Sequence, residues 1–539
     1  MRGDRWSATT LLRRAASNVN SRSLIAILVI LLPLLAAFGL AFGFVRNALY
    51  TVMGLLSFRD VMYPDSANLL RAGEAMASLH LYPPLDRPPY LVTPYGPLMY
   101  LLFGLTRGLA EMLGIDAAVT ARGAVLLAFM CCVFAVYRLI KATEASQTVR
   151  LVCVALLLCS PAFAHWTTQC RGDFPAAALS LFSLLAVTLG SISGLLIAAL
   201  LCAGAILTKQ SFVSATIAIA AWLVWRRRHV DCARFIAVVI ACVGAGYGLL
   251  LWREPLMATH WSALRHVVPP DPKGALVIYL IAASQPIMVA GGGALLLVLA
   301  VAARQSLLAA RQPFLALFAL YFLAATVIAA LGTIQVGAAI NYYWEPLFAA
   351  ALLASALPQE WPNLRHSTLV RRLGALVAVA FTVSVLANMA YLPKTYQDEQ
   401  AYFEHYQASR GQWSALAGLI SGKRVLSTEP DIAVLSAVPE IPDPFVISIL
   451  ETAGRWDPAP IVHDIEDRRY QMLFINKWTW DGHPQYRGVV LWGPVIMAAV
   501  LRNYRPACDI FDLHVLLPET DDTSLRTKLM AIGCSASDQ

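Results

Sequence analysis

Apolar runs and short charged connectors alternate along roughly the first 390 residues of the chain. The runs fall near 24–45, 121–140, 149–164, 174–190, 194–208, 211–226, 233–252, 275–303, 313–331, 341–357 and 369–391. Each approaches the roughly 20 residues that carry a helix across a bilayer. A further run, 97–113, is shorter and is interrupted by Arg107 and Glu111. If it crossed, Arg226, Arg227, Arg228, Arg365, Arg371 and Arg372 would all face outward. If it lies along the surface, those residues and Arg138, Lys141, Arg150, Arg304 and Arg311 fall on the cytoplasmic side, as the positive-inside rule favours. The pattern therefore predicts about 11 transmembrane helices, with the N-terminus inside and the C-terminus outside.

That count divides the chain into a membrane domain, 1–392, and a tail, 393–539. It also gathers the segments 46–120, 165–173, 253–274 and 332–341 on the outer face with the tail. The first outer segment, 46–120, is too long to be a connector, and a helix is predicted from Asp65 to about Leu79. Asp65 and Ser66 stand at its start, where such side chains cap free amides. In the tail, strand-like stretches at 423–427 and 472–475 alternate with helical ones. The fold class is an α-helical polytopic membrane protein with a small C-terminal α/β extracytoplasmic domain.

Composition agrees. Of 539 residues, 58% are hydrophobic and 14% charged, and the mean hydropathy is +0.62. Soluble domains carry about 25% charged residues. The net charge of +8 sits in clusters between apolar runs, so it reads as topology and not as a nucleic-acid surface. The apolar run near the N-terminus is longer than a signal-peptide core and lacks a cleavage site, so it reads as an uncleaved first span. Most of the ten cysteines lie in apolar runs, where they read as small buried hydrophobes. Cys508 and Cys534 lie in the polar tail and could pair if it is extracytoplasmic.

Five polar groups stand where membrane packing alone does not call for them. Asp65, with Asp60 five residues before it, follows the first span; a carboxylate here could take a proton from an acceptor hydroxyl or simply cap the helix. Arg171-Gly172-Asp173 lies at an outer mouth, where the two charges could pair or could offer a second carboxylate and a phosphate ligand. Lys209 stands alone between apolar stretches, so it snorkels or holds a phosphate. The loop with Arg253, His260, Arg265 and His266, rich in tryptophan and proline, suits a phosphodiester and a sugar ring, or an aromatic belt. Asn341, Tyr342 and Glu345 enter an apolar helix from the outer side, where buried polar groups are expensive. Tyr95 belongs to the Pro/Tyr-rich loop after the Asp65 helix. The GxxxxGK[ST], HExxH and GxSxG signatures are missing from the sequence, so an activated substrate already in the membrane would suit these sites.

Together these residues resemble the GT-C integral-membrane glycosyltransferases, which include the protein O-mannosyltransferases and the bacterial lipid A aminoarabinose transferases. The resemblance rests on Pro64-Asp65 with the helix at 67–79, on Leu81-Tyr82-Pro83 and Tyr95-Gly96-Pro97-Leu98, on Arg171-Gly172-Asp173, on Lys209-Gln210, and on 337–346 with Asn341-Tyr342. It implies Asp65 as catalytic base, Asp173 as second acidic residue, and a polyprenyl-phosphate-linked sugar donor in a bacterial inner membrane. The acceptor would be a glycan, lipid or protein. Several members carry Asp-Glu where this chain has Asp65-Ser66, and assistance by a divalent cation (Mg or Mn) stays open. Under this reading Lys209, Arg171, Arg253 and Arg265 would hold the donor phosphate. Asp60, Tyr95, His260, His266, Asn341, Tyr342 and Glu345 would line the sugar and acceptor. The competing class is a secondary transporter or flippase, which predicts repeats and broken helices near the midplane; a scaffold with a binding domain leaves Lys209 and Asn341 unexplained.

Overall fold

The structure, a computed structural model, describes residues 21–57, 65–78, 80–164, 166–264, 270–302, 313–356, 368–483, 489–519 and 523–536. The membrane part begins with helices α1 (Ser21–Leu55), α2 (Asp65–Ser78), α3 (Pro97–Leu113), α4 (Ala117–Ala142) and α5 (Gln147–Leu158). It continues with α6 (Asp173–Val187), α7 (Ile192–Thr208), α8 (Ser214–Trp225), α9 (His229–Arg253) and α10 (Met257–Leu264). Then come α11 (Pro272–Ala283), α12 (Pro286–Ala302), α13 (Pro313–Gly332), α14 (Trp344–Ala354) and α15 (Thr368–Ile420).

Five of these, α1, α4, α9, α13 and α15, carry stretches long and apolar enough to cross a membrane, and the bent pair α11–α12 makes up to six. The eleven expected from the apolar runs are not all of that kind. Helices α5, α6, α7 and α8 have 12 to 17 residues, short of the roughly 20 a straight crossing takes. The run 341–357 is an 11-residue helix, α14, buried on every side and lying under Phe174, whose ring stacks on Trp344 at 4.2 Å. An apolar helix in the centre of a bundle and one in lipid share one sequence signature.

The run 275–303, read as one span, is two helices meeting at 86°. Pro286 supplies the break: it has no amide proton, and its ring disfavours helical backbone at the preceding residue. The carbonyl freed at Ser284 is taken by the hydroxyl of Ser384 and the amide of Asn388, both on α15. The run 97–113, expected to lie on the surface, forms α3, with Met99, Tyr100, Phe103 and Ala110 buried and Leu101, Leu105, Leu109 and Met112 exposed.

The tail is built on a four-stranded mixed sheet of β1 (Val425–Ser427), β2 (Met472–Asn476), β3 (Tyr504–Ile510) and β4 (Leu513–Pro518) in the order β1-β2-β4-β3. Strands β1 and β2 are parallel; β4 runs antiparallel to β2 and β3. The parallel crossover carries α16 (Pro430–Ala433), α17 (Pro444–Thr452) and α18 (Ala459–Glu466). Cys508 and Cys534 are joined in a disulfide.

Two apolar layers hold this domain, and both draw on residues outside the sheet and its crossover. One contains Tyr90 and Val92 of the first long loop; the other contains Trp413, Leu416 and Ile420 from the end of α15. The boundary expected at 392/393 falls inside α15, which runs 53 residues without interruption. Pro393 and the fall in hydropathy beyond it read as a linker; the backbone stays helical through both.

Candidate functional site

Helix α2 is Ala-rich and turns three polar residues onto its buried face, leaving Glu74 and Ser78 exposed. Asp65, Asn68 and Arg71 are all inside, with Ala67, Ala72 and Gly73. A polar stripe turned inward is costly unless each group finds a partner. The partners come from far along the chain. Asp65 Oδ1 accepts from the backbone N–H of Cys170 at 2.9 Å. Its Oδ2 lies 3.6 Å from Arg122 Nε and accepts no direct hydrogen bond among the described residues. Burial pushes the carboxyl above the ordinary carboxylate range, against the pull of the Arg122 guanidinium. Arg122 itself donates to the carbonyl of Ser57 at 2.6 Å. The carboxylate thus reaches across to another loop, where a helix cap would serve only its own turn.

A second centre gathers around Asp173, the first residue of α6, where Gly172 holds the N-cap position. Asp173 Oδ1 accepts from Lys209 Nζ and, at 3.0 Å, from Asn341 Nδ2. Lys209 ends α7, and its ammonium stands 5.0 Å from the ring centre of Tyr342, 5.6 Å from that of Tyr95 and 5.9 Å from that of Phe212. Aromatic faces and one carboxylate together make a buried cation tolerable. The loop bearing Tyr95 is pressed onto the end of α7: a Cβ on Gly96 would lie 2.0 Å from the Leu207 carbonyl oxygen. Gln210 donates to the carbonyl of Pro94 at 2.8 Å. Asn341 Oδ1 is buried without a hydrogen-bond partner among the described residues.

The two centres share one loop. Cys170 holds Asp65, Asp173 follows three residues later, and Arg171 lies between them with its guanidinium 5.0 Å from the centre of the Trp166 ring. Arg171 is close enough to act electrostatically on both Asp65 and Tyr342.

The remaining residues singled out in the sequence lie elsewhere. Glu345 is buried, and its oxygens accept from Ser214 at 2.9 Å and Tyr321 at 3.0 Å, so two hydroxyls hold it within the bundle. His260 is buried in the outer loop. Its Nδ1 accepts from the Thr93 amide at 3.1 Å, and its Nε2 lies 2.7 Å from the Pro83 carbonyl oxygen. Both nitrogens are therefore occupied in pinning the 83–93 loop, and burial lowers the imidazole to about 4. Arg253 is exposed at the end of α9. Asp60, Arg265 and His266 lie outside the described residues. No group of three or more His, Cys, Asp or Glu side chains converges as a metal site among the described residues.

Sequence reasoning passed over Arg122, Asn68 and Arg71. Arg122 was absorbed into the start of an apolar run. The other two carried a signal in their spacing, because 65, 68 and 71 lie near one face of a helix.

No family model matches this chain, and no curated protein matches it. Solved structures do. ArnT from Cupriavidus metallidurans, in the apo state, superposes with a TM-score of 0.55 at 14% identity, over 89% of this chain and 98% of that one. The archaeal oligosaccharyltransferase AglB from Archaeoglobus fulgidus, in complex with an inhibitory peptide and a dolichol-phosphate, superposes with a TM-score of 0.51 at 12% identity, over 82% of this chain and 70% of that one. Both are GT-C superfamily glycosyltransferases. The sequence resemblance thus has a structural counterpart: this chain has the fold of the GT-C membrane glycosyltransferases.

Proposed function

We propose that the protein transfers a sugar from a polyprenyl-phosphate-linked donor to an acceptor hydroxyl at the outer face of a bacterial inner membrane. The observation that carries this reading is the state of Asp65. It is fully buried, fixed through one oxygen by Cys170, and left with a second oxygen free of direct hydrogen bonds among the described residues. A general base needs that combination of a fixed direction and an open lone pair. Asp65 takes the acceptor proton as the acceptor oxygen bonds to the anomeric carbon. The bond from that carbon to the phosphate oxygen breaks, and polyprenyl phosphate leaves. Transfer with inversion follows from a single displacement.

The leaving phosphate is anionic, so fixed cations near it lower the barrier. Lys209 and Arg171 supply them, with Asp173 holding Lys209 in place. Asn341 Oδ1 offers an acceptor to a sugar hydroxyl, and Tyr95 and Tyr342 offer ring faces. Hydroxyl acceptors on glycans, lipids and proteins share this chemistry. The arrangement calls for the N-terminus inside and the tail outside, and the Cys508–Cys534 disulfide supports an oxidising compartment for the tail.

The decisive experiment is Asp65→Asn, assayed for transfer from a lipid-linked donor in detergent. Full activity in a folded Asp65→Asn protein removes the base assignment. A transporter is favoured by one observation, the 86° break between α11 and α12. Its freed carbonyl is already taken by Ser384 and Asn388, and among the described residues it has no counterpart, so the transferase reading stands ahead.

A further inference from the structure

The outer domain reaches the Asp65 carboxylate through an unbroken series of hydrogen bonds. Asp443, at the start of α17, uses Oδ1 to accept from the Val446 amide at 3.4 Å, capping its own helix. Its Oδ2 accepts from Arg71 Nη2 at 2.7 Å, and both side chains are almost wholly buried. Arg71 Nη1 donates to Asn68 Oδ1 at 2.9 Å. Asn68 Nδ2 donates to the Cys170 carbonyl at 2.9 Å, and the Cys170 amide donates to Asp65.

Each link fixes the next. The planar guanidinium holds two acceptors in one fixed fork, a geometry that a lysine's ammonium on its flexible stem does not impose. The Asn68 amide is oriented because its oxygen faces a donor and its nitrogen faces an acceptor. Cys170 is then held at both its carbonyl and its amide by α2, so the loop leading to Asp173 is latched to the helix that carries Asp65. The same turn of the outer domain packs against the segment that leads into the second centre. A Cβ on Gly337, whose φ is +82°, would lie 2.7 Å from the Phe445 ring, and Gly337 is four residues before Asn341.

We propose that Asp443 is a positioning residue for the Asp65 carboxylate, acting through Arg71, Asn68 and Cys170, so that the outer domain sets the geometry of the transfer site. This rests on the reading of Asp65 as the base. A misplacement of about 1 Å at a reacting group costs up to about a hundredfold in rate.

The test is Asp443→Asn in the full-length chain, compared with wild type and with Arg502→Ala, which removes the exposed ion pair to Glu466. In Asp443→Asn, kcat for transfer falls on the order of ten- to a hundredfold while donor KM is unchanged, and the acid limb of the rate profile moves because Asp65 loses its fixed setting. Hydrogen exchange at the Cys170 amide accelerates by a similar factor, while exchange in the sheet β1–β4 stays at the wild-type rate. Arg502→Ala changes none of these. Arg71→Lys behaves as Asp443→Asn does, because charge without the fork does not restore the series. Wild-type kcat, pH profile and Cys170 exchange in Asp443→Asn overturn the inference. Wild-type protein inactive towards every lipid-linked donor overturns the transferase reading instead, and the exchange measurement still decides whether Asp443 holds Cys170. Where exchange in the sheet accelerates as well, Asn68→Ala cuts the series without touching the outer domain. That variant then lowers kcat and speeds Cys170 exchange with the sheet unchanged; wild-type values for both overturn the inference.

Discussion

Asp65 and Asp173 each begin a helix, both are buried, and their environments differ in kind. Asp173 has a full cation against it, an amide beside it and aromatic rings around that cation. Among the described residues Asp65 has one backbone hydrogen bond and an arginine held off at 3.6 Å. A carboxylate paired with a buried cation, as Asp173 is, makes a good anchor. One compensated as loosely as Asp65 costs the fold something and keeps a lone pair available. On the proposed reading the difference divides the roles: Asp65 to proton transfer, Asp173 to holding Lys209.

Substitution at the two positions separates them. Asp65→Asn lowers kcat/KM on the order of a hundred- to ten-thousandfold, the contribution of a general base, while the thermal midpoint stays within a few degrees of wild type. A large loss of stability in that variant would break the comparison. Asp173→Asn does the reverse first. It strands a buried ammonium, which costs about 3–5 kcal/mol, read as a lowered midpoint of denaturant unfolding. Lys209→Met combined with Asp173→Asn recovers most of that loss, because no charge is left unpaired; failure to recover would mean that Asp173 stabilises through something other than Lys209.

pH sharpens the same contrast. Because burial raises Asp65, the acid limb of kcat/KM lies above the ordinary carboxylate range, and transfer fails at a higher pH than a surface aspartate would allow. A limb within that range would contradict the burial argument. A smaller effect comes from His260. Its folded pKa of about 4 lies below the ordinary value near 6.5, so between these values the unfolded chain binds more protons. Stability is therefore full above about pH 6.5 and is lost as pH falls toward 4, by up to roughly 3 kcal/mol. His260→Gln flattens this slope in a melting series across pH.

Much of the organisation was legible in the sequence. The helix at Asp65 began where the capping signal placed it, and the strands at 425 and 472 appeared where β-branched and aliphatic residues cluster. Arg171, Asp173, Lys209 and Asn341 fell on one loop and three helix ends because lone polar residues in apolar surroundings are rarely idle. What stayed hidden was relational. Glu345 and Lys209 look alike in sequence, yet Ser214 and Tyr321 satisfy the one inside the bundle and Asp173 holds the other at the site. His260 looked like a ligand for sugar or phosphate because its partners are backbone groups, which carry no sequence signal. Helix α14 looked like a span because hydropathy does not distinguish lipid from protein as the apolar surrounding. Arg122 and Arg71 became visible only when residues 65 and 443 were brought to them.

The unbroken helix α15 has a consequence for that last contact. A domain tethered by a flexible linker meets its partner surface at an effective concentration in the millimolar range. Each encounter then spends conformational entropy. A stiff rod about 80 Å long at 1.5 Å per residue removes most of that search. Asp443 is delivered to Arg71 nearly preassembled, so the buried ion pair forms beside the packing of Tyr90 and Val92 into the outer domain with little search.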